Sequence, residues 1–149
     1  MANRHLSRTV AMQSLYEWDF NDRRDDLSEV TKENIERFAS GASDTEFVFQ
    51  LVQGVHDQLQ AIDALISKHA PDWPIDKIAP VDRSILRVGV FELMFLKDVP
   101  SKVAINEAVE MGKVFSGENA GKFINGVLGA LFKELPVVET EEAKEQKTA

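Results

Sequence analysis

Apolar residues along this chain recur at three- and four-residue steps, and no useful length of it alternates in the two-residue rhythm of a strand. Over residues 5–20, Leu6, Val10, Ala11, Ser14, Leu15 and Trp18 fall on one side of a helix. Residues 21–30 (NDRRDDLSEV) read as a polar, acidic connection. A short helix is predicted from Thr31, with Ile35 and Phe38 turned inward and Ser40 and Gly41 ending it. Asp44 is placed to cap the next helix. Its stripe of Val48, Leu51, Val52, Val55, Leu59, Ile62, Leu65 and Ile66 continues to Pro71 and predicts the longest helix of the fold.

The stretch 71–80 (PDWPIDKIAP) turns repeatedly, with room for one helical turn around 75–78. Segment 81–96 (VDRSILRVGVFELMFL) is apolar nearly all round, interrupted by Arg87 and Glu92, and predicts a buried central post. After Asp98 and Pro100, a further helix turns Ile105, Ala108, Val109, Gly112 and Phe115 inward and stops at Ser116 and Gly117. The last helix is predicted over 119–135, with Phe123, Ile124, Val127, Leu128 and Leu131 inward. Gly126 and Gly129 lie inside that apolar helix, so they read as points of close helix approach and not as the loop clamp of a KH domain. Pro136 ends the helix, and the polar, charged run 136–149 reads as a flexible tail. The pattern predicts an all-α fold, with residues 1–135 as a single helical domain and two helical halves joined at 70–80.

Composition narrows the function. The chain has no Cys, which excludes disulfides, a thiolate metal site and a cysteine nucleophile, and suits a reducing cytoplasm. No run approaches the ~18 apolar residues of a membrane span, and no apolar leader opens the chain, so a cytoplasmic protein with no membrane association is expected. With 25 Asp+Glu against 17 Lys+Arg, a general nucleic-acid binder is disfavoured. The charge is uneven, however: +2 over residues 1–16, −6 over 17–46 and −4 over 47–149. A polyanion would have to dock at a local patch or bring a basic partner with it.

Catalytic constellations are missing from the pattern. His5, His56 and His69 lie on separate elements without metal-ligand spacing, the carboxylates are scattered, and no strand leads into a glycine-rich phosphate loop. No metal, no cofactor and no enzymatic activity are therefore expected. The run KVFSGENAGKFINGVLGAL has a helix–turn–helix look, but its second helix offers only Lys122, Asn125 and Lys133 amid an apolar majority, which favours a core helix. The first helix holds more. No acid occurs among residues 1–16, and His5, Arg8, Met12 and Tyr16 follow one another along one strip with Thr9 and Gln13 beside them. Cations for phosphates and a phenol ring for an unstacked base are what single-stranded RNA asks of a surface.

VDRSILRVGVFEL, then DVPSKVAINEAVEMGKVF, then NAGKFINGVLGAL, in this order and at close spacing, resemble the C-terminal half of the NusB family. AMQSLYEWDF resembles the same family's A-x-Q-x-L-Y-x-W segment, so the likeness covers nearly all of residues 5–135. The resemblance implies a NusB-like fold of seven helices in two three-helix subbundles. It also implies a transcription antitermination factor that pairs with NusE, a small-subunit ribosomal protein. Together the two would bind the single-stranded boxA element of ribosomal RNA leaders and join other Nus factors on RNA polymerase. By the same resemblance, Arg4, His5, Arg8, Gln13 and Tyr16 map onto an RNA-facing strip. Asp82 and Arg83 before the central helix, and Asn119, Lys122 and Phe123 at the start of the last, match further RNA-facing positions. Asp82 would accept from base N–H groups, and the spacing of Phe123 also suits a core residue.

Some family members carry an arginine cluster at the N-terminus where this chain has only Arg4 and Arg8 around His5, so weaker RNA binding alone and heavier dependence on the partner are expected. NusB-like domains also occur fused to RNA cytosine methyltransferases, but that chemistry needs cysteines that this sequence lacks. The standing alternative is a homodimeric helical scaffold with little RNA affinity of its own, and the sequence leaves self-association open.

Overall fold

The computed structural model describes residues 4–39 and 44–135. Among these, seven α-helices and one 3-10 turn account for the regular structure: α1 (Arg4–Phe20), α2 (Leu27–Phe38), α3 (Thr45–Asp57), α4 (Leu59–His69), the turn Ile75–Lys77, α5 (Pro80–Phe95), α6 (Ser101–Ser116) and α7 (Glu118–Glu134). The all-helical, seven-helix expectation holds. Helices α1, α2 and α3 pack on one another, α5, α6 and α7 do the same, and α4 leans on α5 and α7. The post between the two groups is α5, which touches α1, α3, α4, α6 and α7. Its residues from Ser84 to Leu93 are all buried, as a segment apolar nearly all round demands.

The connection after α1 is tighter than the acidic run suggested. Asp22 and Arg23 both take positive φ, 58° and 61°, and the Arg23 N–H closes the helix end by donating to Trp18 O at 2.8 Å. Helix α2 then begins at Leu27 and not at Thr31, because Asp26 Oδ1 accepts from the N–H groups of Ser28 (2.9 Å) and Glu29 (3.4 Å). Asn34 of α2 ties back to α1 by donating to Ser14 Oγ and Glu17 Oε2, both at 3.1 Å. Asp44 caps α3 through the Phe47 N–H, as its position predicts.

Four expectations change. The long helix to Pro71 is two helices, α3 and α4, meeting at Gln58. Hydrogen bonds continue through the junction, from Gln58 N to Gly54 O (3.0 Å) and from Ile62 N to Gln58 O (2.8 Å), so the chain bends without stopping. Both halves bury their stripe against α5, which is why the apolar pattern runs on across the bend. Phe38 and Phe115 face solvent and not the core. Gly126 and Gly129 admit no neighbour: a Cβ at either would meet nothing within 4 Å. The close approaches are made elsewhere. A Cβ on Gly112 would lie 2.5 Å from Ile124 Cδ1, one on Gly121 would lie 2.8 Å from Lys113 Cγ, and one on Gly54 would enter the Phe91 ring. The end of α2 at Ser40 and Gly41, Pro136 and the tail 136–149 lie outside the described residues.

These two kinds of glycine should respond oppositely to a methyl group. Gly54→Ala forces the Phe91 ring aside in a packed core and is expected to cost about 1–3 kcal/mol. Gly126→Ala adds helix propensity in open space and is expected to stabilise by about 0.5–1 kcal/mol. Urea unfolding midpoints of the two variants, read against the parent, check both signs.

Candidate nucleic-acid interface

Helices α1 and α5 run antiparallel and are joined by ion pairs at both ends. At one end Arg8 Nε lies 2.9 Å from each Glu92 oxygen and Arg8 Nη2 lies 2.8 Å from Glu92 Oε1, with only 4% and 1% of the two side chains exposed. At the other end Asp19 Oδ2 accepts from Arg83 Nε (3.0 Å) and from Arg87 Nη1 (2.9 Å). Arg87 also holds Asp63 of α4 with two parallel bonds of 2.9 Å. Burial pushes the Glu92 carboxyl up against the opposing pull of Arg8. Burial also acts to raise Asp19, but Arg87 and Arg83 outweigh it and hold that carboxyl below its ordinary value.

This geometry corrects the exposed strip read from the first helix. Arg8 is buried with its guanidinium on Glu92, and Met12 is buried too, so neither lies on the surface. Arg4 is exposed with its guanidinium 4.2 Å above the Phe47 ring. His5 is exposed and its Nδ1 lies 2.8 Å from Glu107 of α6. Gln13 is part-buried, and its Oε1 is shielded from solvent and accepts no hydrogen bond. Tyr16 is half-buried beside Phe20, ring centroids 5.7 Å apart. Arg83 also departs from the expectation: besides Asp19, its Nη1 donates to Ile75 O (3.1 Å) and Ile78 O (3.3 Å), so it pins the turn before α5.

The second set of expected residues comes together. Asp82 in the first turn of α5, and Asn119 and Phe123 on α7, share one recess of about 590 Å³ with Trp73 and Lys77. Asp82 Oδ1 is shielded from solvent and accepts no hydrogen bond among the described residues. Lys122 is exposed and lines an adjoining recess. Trp73 packs edge-on against Phe123, ring centroids 6.4 Å apart, and more than half of it is exposed. Phe123 is thus part-buried at the rim, between the two readings its spacing allowed. Sequence reasoning passed over Trp73 and Lys77. The signal was the tryptophan between Pro71 and Pro74, where no helix stripe could bury it. Among the described residues no group of three or more His, Asp or Glu side chains is arranged to hold a metal ion. No helix among them is long and apolar enough to cross a membrane. A cleft of aromatic rings, amide and carboxylate edged by lysines can hold a flat, polar-edged ring next to negative charge.

The chain is similar to known proteins over most of its length. The NusB family model matches residues 5–133. The transcription antitermination protein NusB of Oceanobacillus iheyensis is 41% identical over 130 residues, covering 87% of this chain and 98% of that protein. The NusB of Clostridium novyi is 35% identical over 133 residues, 88% and 98% of the two chains. Among solved structures, T. maritima NusB superposes with a TM-score of 0.82 at 34% identity, covering 97% of this chain and 99% of that one. A chain from a crystal structure of the antitermination factors NusB and NusE in complex with double-stranded RNA gives a TM-score of 0.79 at 36% identity, covering 87% and 96%.

The buried ion pairs set two stability expectations. Arg8→Ala strands Glu92 in the interior and is expected to cost about 3–5 kcal/mol, whereas Arg8→Met with Glu92→Leu recovers most of it. Urea unfolding at neutral pH measures both. Asp19 sits below its ordinary value, so its pairing stabilises fully above the ordinary carboxylate range and less as pH falls through its lowered folded value. Asp19→Asn is therefore expected to be destabilising at pH 7, with the gap to the parent closing as pH falls through and below the ordinary carboxylate range. Unfolding midpoints of the pair across that range check the sign.

Proposed function

The chain belongs to the NusB family, and we propose that it is a transcription antitermination factor that binds boxA-type single-stranded leader RNA together with NusE. On this reading it joins the Nus complex on RNA polymerase during ribosomal RNA transcription. The observation that carries the reading is its likeness, over 87% of its length, to a chain from a structure of NusB and NusE in complex with double-stranded RNA. The grouping of Asp82, Asn119 and Phe123 around one recess supports it from the geometry.

Charge assigns the partner its task. The protein carries a net charge of −8. Of the three basic side chains expected on the first helix, Arg8 is taken up by Glu92 and His5 faces Glu107, which leaves Arg4. A hydrogen bond to a charged group is worth about 1.5–3 kcal/mol, so each cation withheld from phosphate weakens binding measurably. The positive field for the RNA backbone then comes from NusE, and this chain supplies base-facing groups. The role is that of an adaptor that holds RNA and protein together, with no catalytic step. Its site of action is the cytoplasm, where bacterial RNA polymerase works.

Fluorescence anisotropy with a labelled boxA RNA and a scrambled control, each with and without NusE at two salt concentrations, tests the reading. NusE is expected to tighten boxA binding by at least about tenfold, to tighten the scrambled RNA less, and to lose part of the gain at higher salt. If the pair fails to distinguish the two RNAs, the chain is a helical scaffold and the RNA reading falls.

A further inference from the structure

Five ionisable side chains gather where the start of α1 lies against α5 and α6: Arg4, His5, Arg8, Glu92 and Glu107. His5 Nδ1 is 2.8 Å from Glu107 Oε2, and the two side chains are 58% and 28% exposed. We propose that Glu107 is an internal competitor for RNA phosphate, holding His5 in the free chain so that a phosphate must displace the carboxylate before the first turn of α1 can bind with both of its basic groups. The proposal rests on the RNA-binding reading above. It goes beyond that reading by naming the residue that limits how much of the helix RNA can use.

The two acids of the cluster differ in what RNA can do to them. Glu92 and Arg8 are almost wholly buried, so drawing Arg8 out to a phosphate would leave an uncompensated charge in the interior. Glu107 and His5 meet at the surface, where an ion pair contributes little to stability and partners exchange readily. A carboxylate and a phosphate both present anionic oxygens to the same ring N–H, and one N–H serves one acceptor well. Glu107 is therefore the acid that a phosphate can replace.

The cluster acts as one electrostatic unit. Burial raises the Glu92 carboxyl, Arg8 pulls it down, Glu107 pushes it up and Arg4 pulls it down again, so all of these groups are felt at one point. Two arginines against two glutamates leave no net charge when the His5 ring is neutral, and removing Glu107 adds one positive charge whichever state the ring is in. The start of α1 does not need Glu107 to stay in place. Ser7 Oγ donates to Asp44 O at 3.2 Å, Arg8 holds Glu92, and the Arg4 guanidinium lies over the Phe47 ring. Releasing His5 thus frees a side chain without freeing the helix.

The test titrates labelled boxA RNA with the chain alone and with the protein–NusE pair, using the parent, Glu107→Ala, Glu36→Ala and the double variant His5→Ala with Glu107→Ala. Glu36 is an exposed acid on α2, so its loss makes the same change in net charge away from the cluster. Glu107→Ala should tighten RNA binding roughly two- to fivefold, the effect of one exposed charge pair. It should also steepen the fall of log affinity with log salt by about 0.7, the slope of one added phosphate contact on a single strand. Circular dichroism and the unfolding midpoint should stay close to the parent's. Glu36→Ala should leave affinity nearly unchanged, and the double variant should lose most of the gain. If Glu107→Ala gains no more than Glu36→Ala, only net charge counts and Glu107 competes for nothing. If the double variant keeps the whole gain, the effect does not pass through His5, and the proposal is overturned. A weaker-binding Glu107→Ala with its fold intact also overturns it, because Glu107 would then support the site. In each of these cases the parent still binds boxA and the RNA-binding reading stands. If the parent pair does not bind boxA at all, that reading fails and the competitor falls with it.

Discussion

The antiparallel clamp of α1 on α5 is the constraint from which the rest of this structure follows. Ionic groups in a protein interior lose hydration that their mutual attraction barely returns, so the Arg8–Glu92 pair adds little net stability. What such pairs do fix is register. Arg8 can meet Glu92 at one end while Asp19 meets Arg83 and Arg87 at the other only if the two helices are antiparallel and aligned within a turn. Arg87 carries the alignment on to α4 through Asp63, so one guanidinium joins three helices. Close packing on α5, with the Phe91 ring against Gly54 and Leu128 against Gly89, fixes the same register as these charges.

That clamp also limits what the first helix can offer to a polyanion. Arg8 looks available in the sequence because a helical strip of His5, Arg8, Met12 and Tyr16 has the composition of an RNA-facing surface. Its exposure is decided by Glu92, a residue far away in the chain and itself among apolar neighbours that conceal its purpose. A carboxylate in the middle of a buried helix needs a cation from somewhere, and that need was the one cue in the sequence. Helix-face reasoning places residues on a side of one helix. Which side becomes the interior depends on the partner helix and its charges.

Other elements divide in the same way between local and distant causes. The caps at Asp26 and Asp44 are local: each is an acid three residues ahead of a backbone N–H that it accepts or nearly reaches, and the Asp26–Glu29 spacing announces the earlier start of α2. The central post is legible because a segment apolar on every side has nowhere to go but inside. The bend at Gln58 is not legible, since the stripe stays apolar across it while the neighbours of the helix change from α1 and α2 to α7. Phe38 and Phe115 keep the spacing of core residues and are exposed, because periodicity gives a helix face and not its coverage. In the candidate site, resemblance picked out Asp82, Asn119 and Phe123, but their convergence with Trp73 is a property of two helix starts meeting the 71–80 turn.

The clamp and the candidate site share the first turn of α5. Asp82 lines the recess, and its neighbour Arg83 points away from it to Asp19 and to the carbonyl oxygens of Ile75 and Ile78. Those two bonds hold the end of the Pro-rich turn that carries Trp73 and Lys77 to the site. Arg83 thus belongs to both systems without facing the recess: it registers α1 and shapes the wall on which the recess depends. Loss of RNA binding on changing Arg83 would therefore not identify an RNA contact, since the same change releases Asp19 in the interior and the turn at the surface. Asp82 and Trp73 take no part in the ion pairs of the clamp. The boundary between the residues that hold this fold and those free to recognise something else falls between positions 82 and 83.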